Sequence, residues 1–390
     1  VKTQDADEHP ALRHASIRLP ALLIIGILSA TDAHATCPPR DSWPAPDWPV
    51  AQPAPARETD VAELRQYLLS PEARARGIQT DGLLIVRGGR IVFEEYARGY
   101  ARTMRHLGWS VSKTFTNALT GRAVALQALS IDDSICRYRK GVRADNCDIT
   151  VRSLLDMSSG LDWHEATENP PTLDLSVVEM LFRDGRKDMA AYVAGLPRRA
   201  PPGATWEYSS GDLTLLASVV QAAMEPRYGH DFPWSVLLDR IGAGNVTWER
   251  DDVGTLIGGS FLWATPRDLA RLGYLYLNDG CWNGERLLPE GWGSGATRVN
   301  EAFRRQPLFR NAGDVYGREL WLNRPVPELG QPQPWPSVPP DAFAATGKWN
   351  QIVLVIPSLD LIIVRTGDDR IDGALDVDRF FKLAIQAGLP

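Results

Sequence analysis

The sequence predicts an α+β fold: one antiparallel sheet, built from both chain ends and flanked by helices, carries an inserted, mostly helical lobe. Three observations predict it. β-prone runs come in pairs near each end of the chain, each pair joined by turn residues. The middle of the chain reads as helices and loops. The bulk composition is that of a globular protein: of 390 residues, 44 % are apolar and 23 % charged, which suits one large domain or two small ones.

Residues 1–35 read as a leader. Arg13 and Arg18 precede the apolar run Ala21 to Ala30, and Ala33-His34-Ala35 offers the small residues a signal peptidase reads, so cleavage is expected after Ala35. The apolar run is too short to span a bilayer. The residues before Cys37 lack the aliphatic start of a lipid-attachment site. The expected product is therefore exported, periplasmic or secreted, with no stable membrane anchor after cleavage. Residues 36–60 are rich in Pro, Ala and Trp and are expected as an extended segment. The domain proper is expected over 61–390, with an α/β part at 61–107 and 343–390 and a helical lobe over about 108–342.

Val61 to Leu69 has helical spacing, with Val61, Leu64, Leu68 and Leu69 on one side. Leu83 to Val86 and Ile91 to Tyr96 are β-prone, and Gly88-Gly89 permits the positive φ of a tight turn between them. A matching pair, Ile352 to Ile356 and Leu361 to Arg365, is joined by Pro357-Ser358-Leu359-Asp360. Val377 to Ala387 closes the chain with a helical pattern. In the middle, residues 110–129 place Phe115, Ala118, Leu119 and Leu126 on one helix face. Thr150 to Leu155, Leu213 to Met224 and Pro266 to Leu277 are further helices.

The net charge of −6 comes without a basic patch, which argues against a nucleic-acid partner. Three of the six histidines fall in the leader, leaving His106, His164 and His230, and no H-E-x-x-H occurs. No metal and no cofactor are expected. With no C-x-x-C, the four cysteines point to disulfides. Cys136 and Cys147 are placed to close a short loop, and Cys37 and Cys281 remain for a second bridge.

The chemistry concentrates in three places. In Gly108-Trp109-Ser110-Val111-Ser112-Lys113, Ser110 and Lys113 lie one turn apart on the same face at a helix start. A buried lysine whose neutral form is favoured can take the proton of a serine hydroxyl, and the helix N-terminus supplies N–H groups for a developing oxyanion. Ser112 is a rival, but it faces elsewhere on the helix. Tyr208-Ser209-Ser210 follows a Pro-Pro-Gly turn and precedes a helix, where a phenol can point into a cleft and relay a proton. Gly347-Lys348-Trp349-Asn350-Gln351 is read as the start of the first C-terminal strand, where a backbone N–H can serve an oxyanion and a lysine can bind a carboxylate.

In this order and spacing the three segments resemble the boxes of serine β-lactamases and penicillin-binding proteins, S-x-x-K, Y-x-N and K-T-G or H-x-G. The class C-like branch, with its esterases, D,D-peptidases and aminohexanoate-oligomer hydrolases, is the nearest match. Ile149 to Leu161 (ITVRSLLDMSSGL) and residues 258–280 (GGSFLWATPRDLARLGYLYLNDG) resemble connecting segments of that branch. The similarity spans roughly residues 80–370. It implies a β-lactamase-like fold, Ser110 as acylated nucleophile, Lys113 as base and Tyr208 as proton shuttle. It also implies an oxyanion hole from the N–H groups of Ser110 and Gln351, with Lys348 opening the third box.

The departures bear on specificity. Ser210 replaces the Asn of Y-x-N and removes an amide that helps hold a substrate. Lys348-Trp349-Asn350 stands where K-T-G is expected, so Asn350 narrows the approach and Trp349 crowds or lines the cleft. Trp163-His164-Glu165 resembles the aminohexanoate-oligomer hydrolases, yet Thr167 stands where several of them have a tyrosine. The expected substrate is a carboxylic ester or small amide. A D,D-peptidase or β-lactamase with a peptide or lactam substrate is the second reading, and a non-catalytic sensor or binding module the third.

Overall fold

The computed structural model describes residues 37–44, 46–51, 57–165, 175–305 and 314–389. The expected leader, its cleavage site after Ala35, and Thr167 lie outside the described residues.

A six-stranded antiparallel sheet forms the frame. The N-terminal hairpin joins Thr80–Arg87 to Arg90–Tyr96 through Gly88 and Gly89, whose φ values of 55° and 73° only glycine adopts without strain. Thr80–Arg87 pairs with Leu361–Gly367, which forms the C-terminal hairpin with Gln351–Ile356. Phe343–Gly347 and then Trp321–Leu322 complete the sheet. Both chain ends thus contribute, as the sequence predicts.

The strands alternate between two cores, because successive side chains point to opposite faces. Leu84, Val86, Val353, Val355, Ile362 and Val364 face the large core shared with the helical lobe. Leu83, Ile85, Ile352, Leu354, Ile356 and Ile363 face a smaller core. Helices Glu58–Leu68 and Val377–Gly388 close that smaller core with Leu64, Leu68, Phe380 and Phe381. Burial on both faces explains why these strands read as unbroken apolar runs.

Helix Pro266–Leu277 starts where the sequence places it. The Thr265 hydroxyl caps it by accepting from the Asp268 N–H and donating to the Asp268 carboxylate at 2.6 Å, and Pro266 takes the first helical position. It packs on the sheet. Two pieces of the 108–342 stretch, this helix and strand Trp321–Leu322, therefore side with the sheet. The first helix begins at Glu58, three residues before the expected 61.

Both disulfides form, Cys136–Cys147 and Cys37–Cys281. The second ties Cys37, in the Pro-rich segment, to Cys281. Val50 bridges Ile91 in parallel, and the buried Trp48 donates its indole N–H to the Arg267 carbonyl at 3.1 Å.

Candidate active site

The helix Val111–Ala125 carries the first box. It is launched by the short strand His106–Leu107, which pairs with Leu262–Ala264. The Gly108 N–H donates to the Leu262 carbonyl at 2.7 Å. Trp109 then turns the chain with a left-handed φ of 49°, a conformation that costs an L residue about 1–2 kcal/mol. Ser110 occupies the N-cap position. Ser112, the rival, has its hydroxyl fully engaged: it donates to the Trp109 carbonyl at 2.6 Å and accepts from the Leu262 N–H at 3.1 Å.

Lys113 is buried, and its Nζ lies 2.9 Å from Ser110 Oγ, 2.9 Å from Ser210 Oγ and 2.9 Å from the Gly259 carbonyl. Burial favours the neutral amine and lowers its pKa to about 8, against the opposing pull of Glu165 and Glu319. Tyr208 is half-buried, with its ring centroid 4.8 Å from Lys113 Nζ and its hydroxyl hydrogen-bonded to Ser110. Burial pushes this phenol well above its ordinary value, and the Ser110 hydrogen bond works against that shift. Trp321 stacks on Tyr208 at 5.9 Å, and Tyr316 meets it edge-on at 5.8 Å. Ser110, Lys113, Tyr208 and Ser210 thus converge.

Ser210 differs from its expected place beside substrate. Its hydroxyl lies between Lys113 and Glu165, 2.6 Å from Glu165 Oε1. Glu165, which the sequence marks only through the resemblance of Trp163-His164-Glu165 and gives no site role, also accepts from the Ser210 N–H and the Trp163 indole.

The third box is also placed differently. Lys348, Trp349 and Asn350 do not start a strand. They connect strands Phe343–Gly347 and Gln351–Ile356, with left-handed φ values of 61° at Trp349 and 60° at Asn350. The backbone that approaches Ser110 is Gly347. A Cβ there would sit 2.1 Å from the Gly108 carbonyl and 3.2 Å from the Ser110 nitrogen. Read three residues earlier, Ala345-Thr346-Gly347 keeps the Thr-Gly of K-T-G with alanine in place of lysine, a signal present in the sequence. Lys348 is exposed, its ammonium 5.5 Å from the Trp349 ring centroid. The Gln351 side chain is buried and bridges to Gly367, donating to its carbonyl at 2.5 Å and accepting from its N–H at 3.2 Å. Trp349 meets Trp109 edge-on at 5.1 Å, and Trp109 meets Phe261 at 5.9 Å, so aromatic rings gather around the expected nucleophile.

Asn350 braces the connection rather than narrowing the cleft with its amide. Its Nδ2 donates to Asp369 at 2.8 Å, and its carbonyl accepts from Arg365 at 3.0 Å. Arg365 and Asp369 are a fully buried pair at 2.8 Å. Asp369→Asn is expected to lower stability by about 2 kcal/mol, because it removes the charge from a buried hydrogen bond. Urea denaturation measures this, and an unchanged midpoint would show that the pair does not brace the connection.

Comparison with known proteins adds to this geometry. A family model described as Beta-lactamase matches residues 60–367. A 6-aminohexanoate-dimer hydrolase from Paenarthrobacter ureafaciens is 29 % identical over 231 residues, which cover 57 % of this chain and only 58 % of that relative's length. A Bacillus anthracis protein described as a 6-aminohexanoate-dimer hydrolase superposes with a TM-score of 0.66 at 20 % identity, covering 88 % of each chain. EstCE1, described as a hydrolase with promiscuous acyltransferase activity, superposes with a TM-score of 0.64 at 16 % identity, over 86 % of this chain and all of its own. At these identities the two superpositions show a shared fold.

Proposed function

The chain belongs to the beta-lactamase family, and from that premise we propose that it is a serine hydrolase of carboxylic esters or small amides. The observation that carries the reading is the 2.9 Å contact between Ser110 Oγ and a buried lysine amine. In the proposed reaction Lys113 takes the Ser110 proton as the oxygen attacks the substrate carbonyl. The Ser110 N–H, at the helix start, and the backbone around Gly347 stabilise the oxyanion. Tyr208 passes a proton to the departing alcohol or amine as its bond to the acyl carbon breaks, leaving an ester on Ser110. Water, activated by the same groups in reverse, hydrolyses that ester and restores the serine.

The names of the relatives support an amide or ester substrate. The aromatic rings around Ser110 favour apolar groups on either side of the scissile bond. Export to an oxidising compartment is part of the proposal, supported by two disulfides and the expected leader.

Treatment with a fluorophosphonate followed by peptide mass spectrometry tests the assignment. The expected result is one rapid adduct, on the peptide containing Ser110. Hydrolysis of p-nitrophenyl esters with no adduct at Ser110 would reject it as nucleophile.

A further inference from the structure

We propose that Glu165 is a positioning residue: through the Ser210 hydroxyl it sets the direction of the hydrogen bonds around Lys113, so that the amine lone pair is left for Ser110. The proposal rests on Ser110 as nucleophile and Lys113 as base.

A neutral amine has two N–H groups and one lone pair, and Lys113 Nζ has three neighbours at 2.9 Å: Ser110 Oγ, Ser210 Oγ and the Gly259 carbonyl. The carbonyl only accepts, so it takes one N–H. Ser210 has a single hydroxyl hydrogen, and its oxygen lies 2.6 Å from Glu165 Oε1. Glu165 accepts two further bonds at Oε2, from the Ser210 N–H at 2.8 Å and from the Trp163 indole N–H at 2.7 Å. Among the described residues three donors converge on its two oxygens, the pattern of a carboxylate. The Ser210 hydrogen therefore points to Glu165, and Ser210 must accept the second N–H of Lys113. Only the direction of Ser110 remains for the lone pair.

When Ser110 gives up its proton, the ammonium that forms has three hydrogens for the same three neighbours. The transfer needs no rearrangement, which is what preorganisation requires. Without the carboxylate, Ser210 is free to turn its hydrogen toward the lone pair, and the base is held in an idle hydrogen bond. The placement also accounts for serine where the family pattern has asparagine: this position holds the base rather than the substrate.

The titratable groups facing Lys113 are Glu165, Glu319 and the Tyr208 phenol. Burial pushes the Glu319 carboxyl and the Tyr208 phenol well above their ordinary values. Glu165 and Glu319 both raise the Lys113 pKa, Glu165 the more strongly, so removing Glu165 favours the neutral amine.

Glu165→Gln keeps the size and can donate to Ser210. It is expected to lower kcat by about 10- to 100-fold and to move the acid limb of kcat/KM to lower pH. A merely structural role would lower the rate without moving the limb. Ser210→Ala should lose a similar factor and keeps the proposal testable if the glutamine variant does not fold. Because both act through one hydroxyl, the double variant should be no slower than Ser210→Ala alone. Wild-type rates in either single variant, with Ser110 still labelled by fluorophosphonate, would overturn the positioning role alone. Failure of the wild-type protein to label at Ser110 would overturn the parent reading and this proposal with it.

Discussion

Lys113→Met is expected to lower kcat/KM for p-nitrophenyl esters by about 100- to 10,000-fold, the range that positioned general bases contribute. Methionine matches lysine in length and flexibility and tolerates the buried setting, so the change removes the amine with little loss of packing. Ser110 Oγ then faces a thioether instead of an acceptor 2.9 Å away. Because acylation itself is slowed, fluorophosphonate labelling should slow by a comparable factor. Esterase rates with a stopped assay and labelling rates on the same preparation check both. A loss below tenfold would mean that another group takes the proton, and Tyr208, hydrogen-bonded to Ser110, would be the alternative.

Gly347→Ala is expected to lower kcat by about 100- to 1,000-fold, the cost of losing an aligned oxyanion donor. The added methyl carbon would lie 2.1 Å from the Gly108 carbonyl. Backbone atoms on both sides must separate, and both belong to segments that flank Ser110. Overpacking of this kind also costs about 1–3 kcal/mol of stability. Gly295→Ala provides the control: a Cβ there meets nothing within 4 Å, and rate and melting temperature should both stay near wild type. If Gly347→Ala retained full activity, the backbone of this connection would have no part in stabilising the oxyanion.

The features legible in the sequence were those written in neighbouring residues. The N-terminal hairpin follows from β-prone runs around Gly88-Gly89, and the helix Pro266–Leu277 from its cap residues and spacing. Ser110 and Lys113 are three residues apart, so their meeting needs only a helix. What was missed depends on contacts distant in sequence. Glu165 acts on a serine 45 residues further on, and nothing between them marks the pair. Trp321–Leu322 is too short to show a period, and only its neighbour Phe343–Gly347 makes it a strand. The lysine of Lys348-Trp349-Asn350 mimics the start of K-T-G and so misplaces the third box. The informative residue is Gly347 just before it, whose missing side chain matters only because Gly108 and Ser110 are folded against it.

Attack by Ser110 requires a neutral Lys113 amine at working pH. The second-order rate of fluorophosphonate labelling at Ser110, measured from about pH 5 to 10, tests it most directly. Burial favours the uncharged amine and sets its pKa at about 8. Labelling should therefore rise about tenfold per pH unit below that value and level off above it. A flat profile across the range, or a midpoint at the ordinary lysine value of 10.5, would contradict Lys113 as the base.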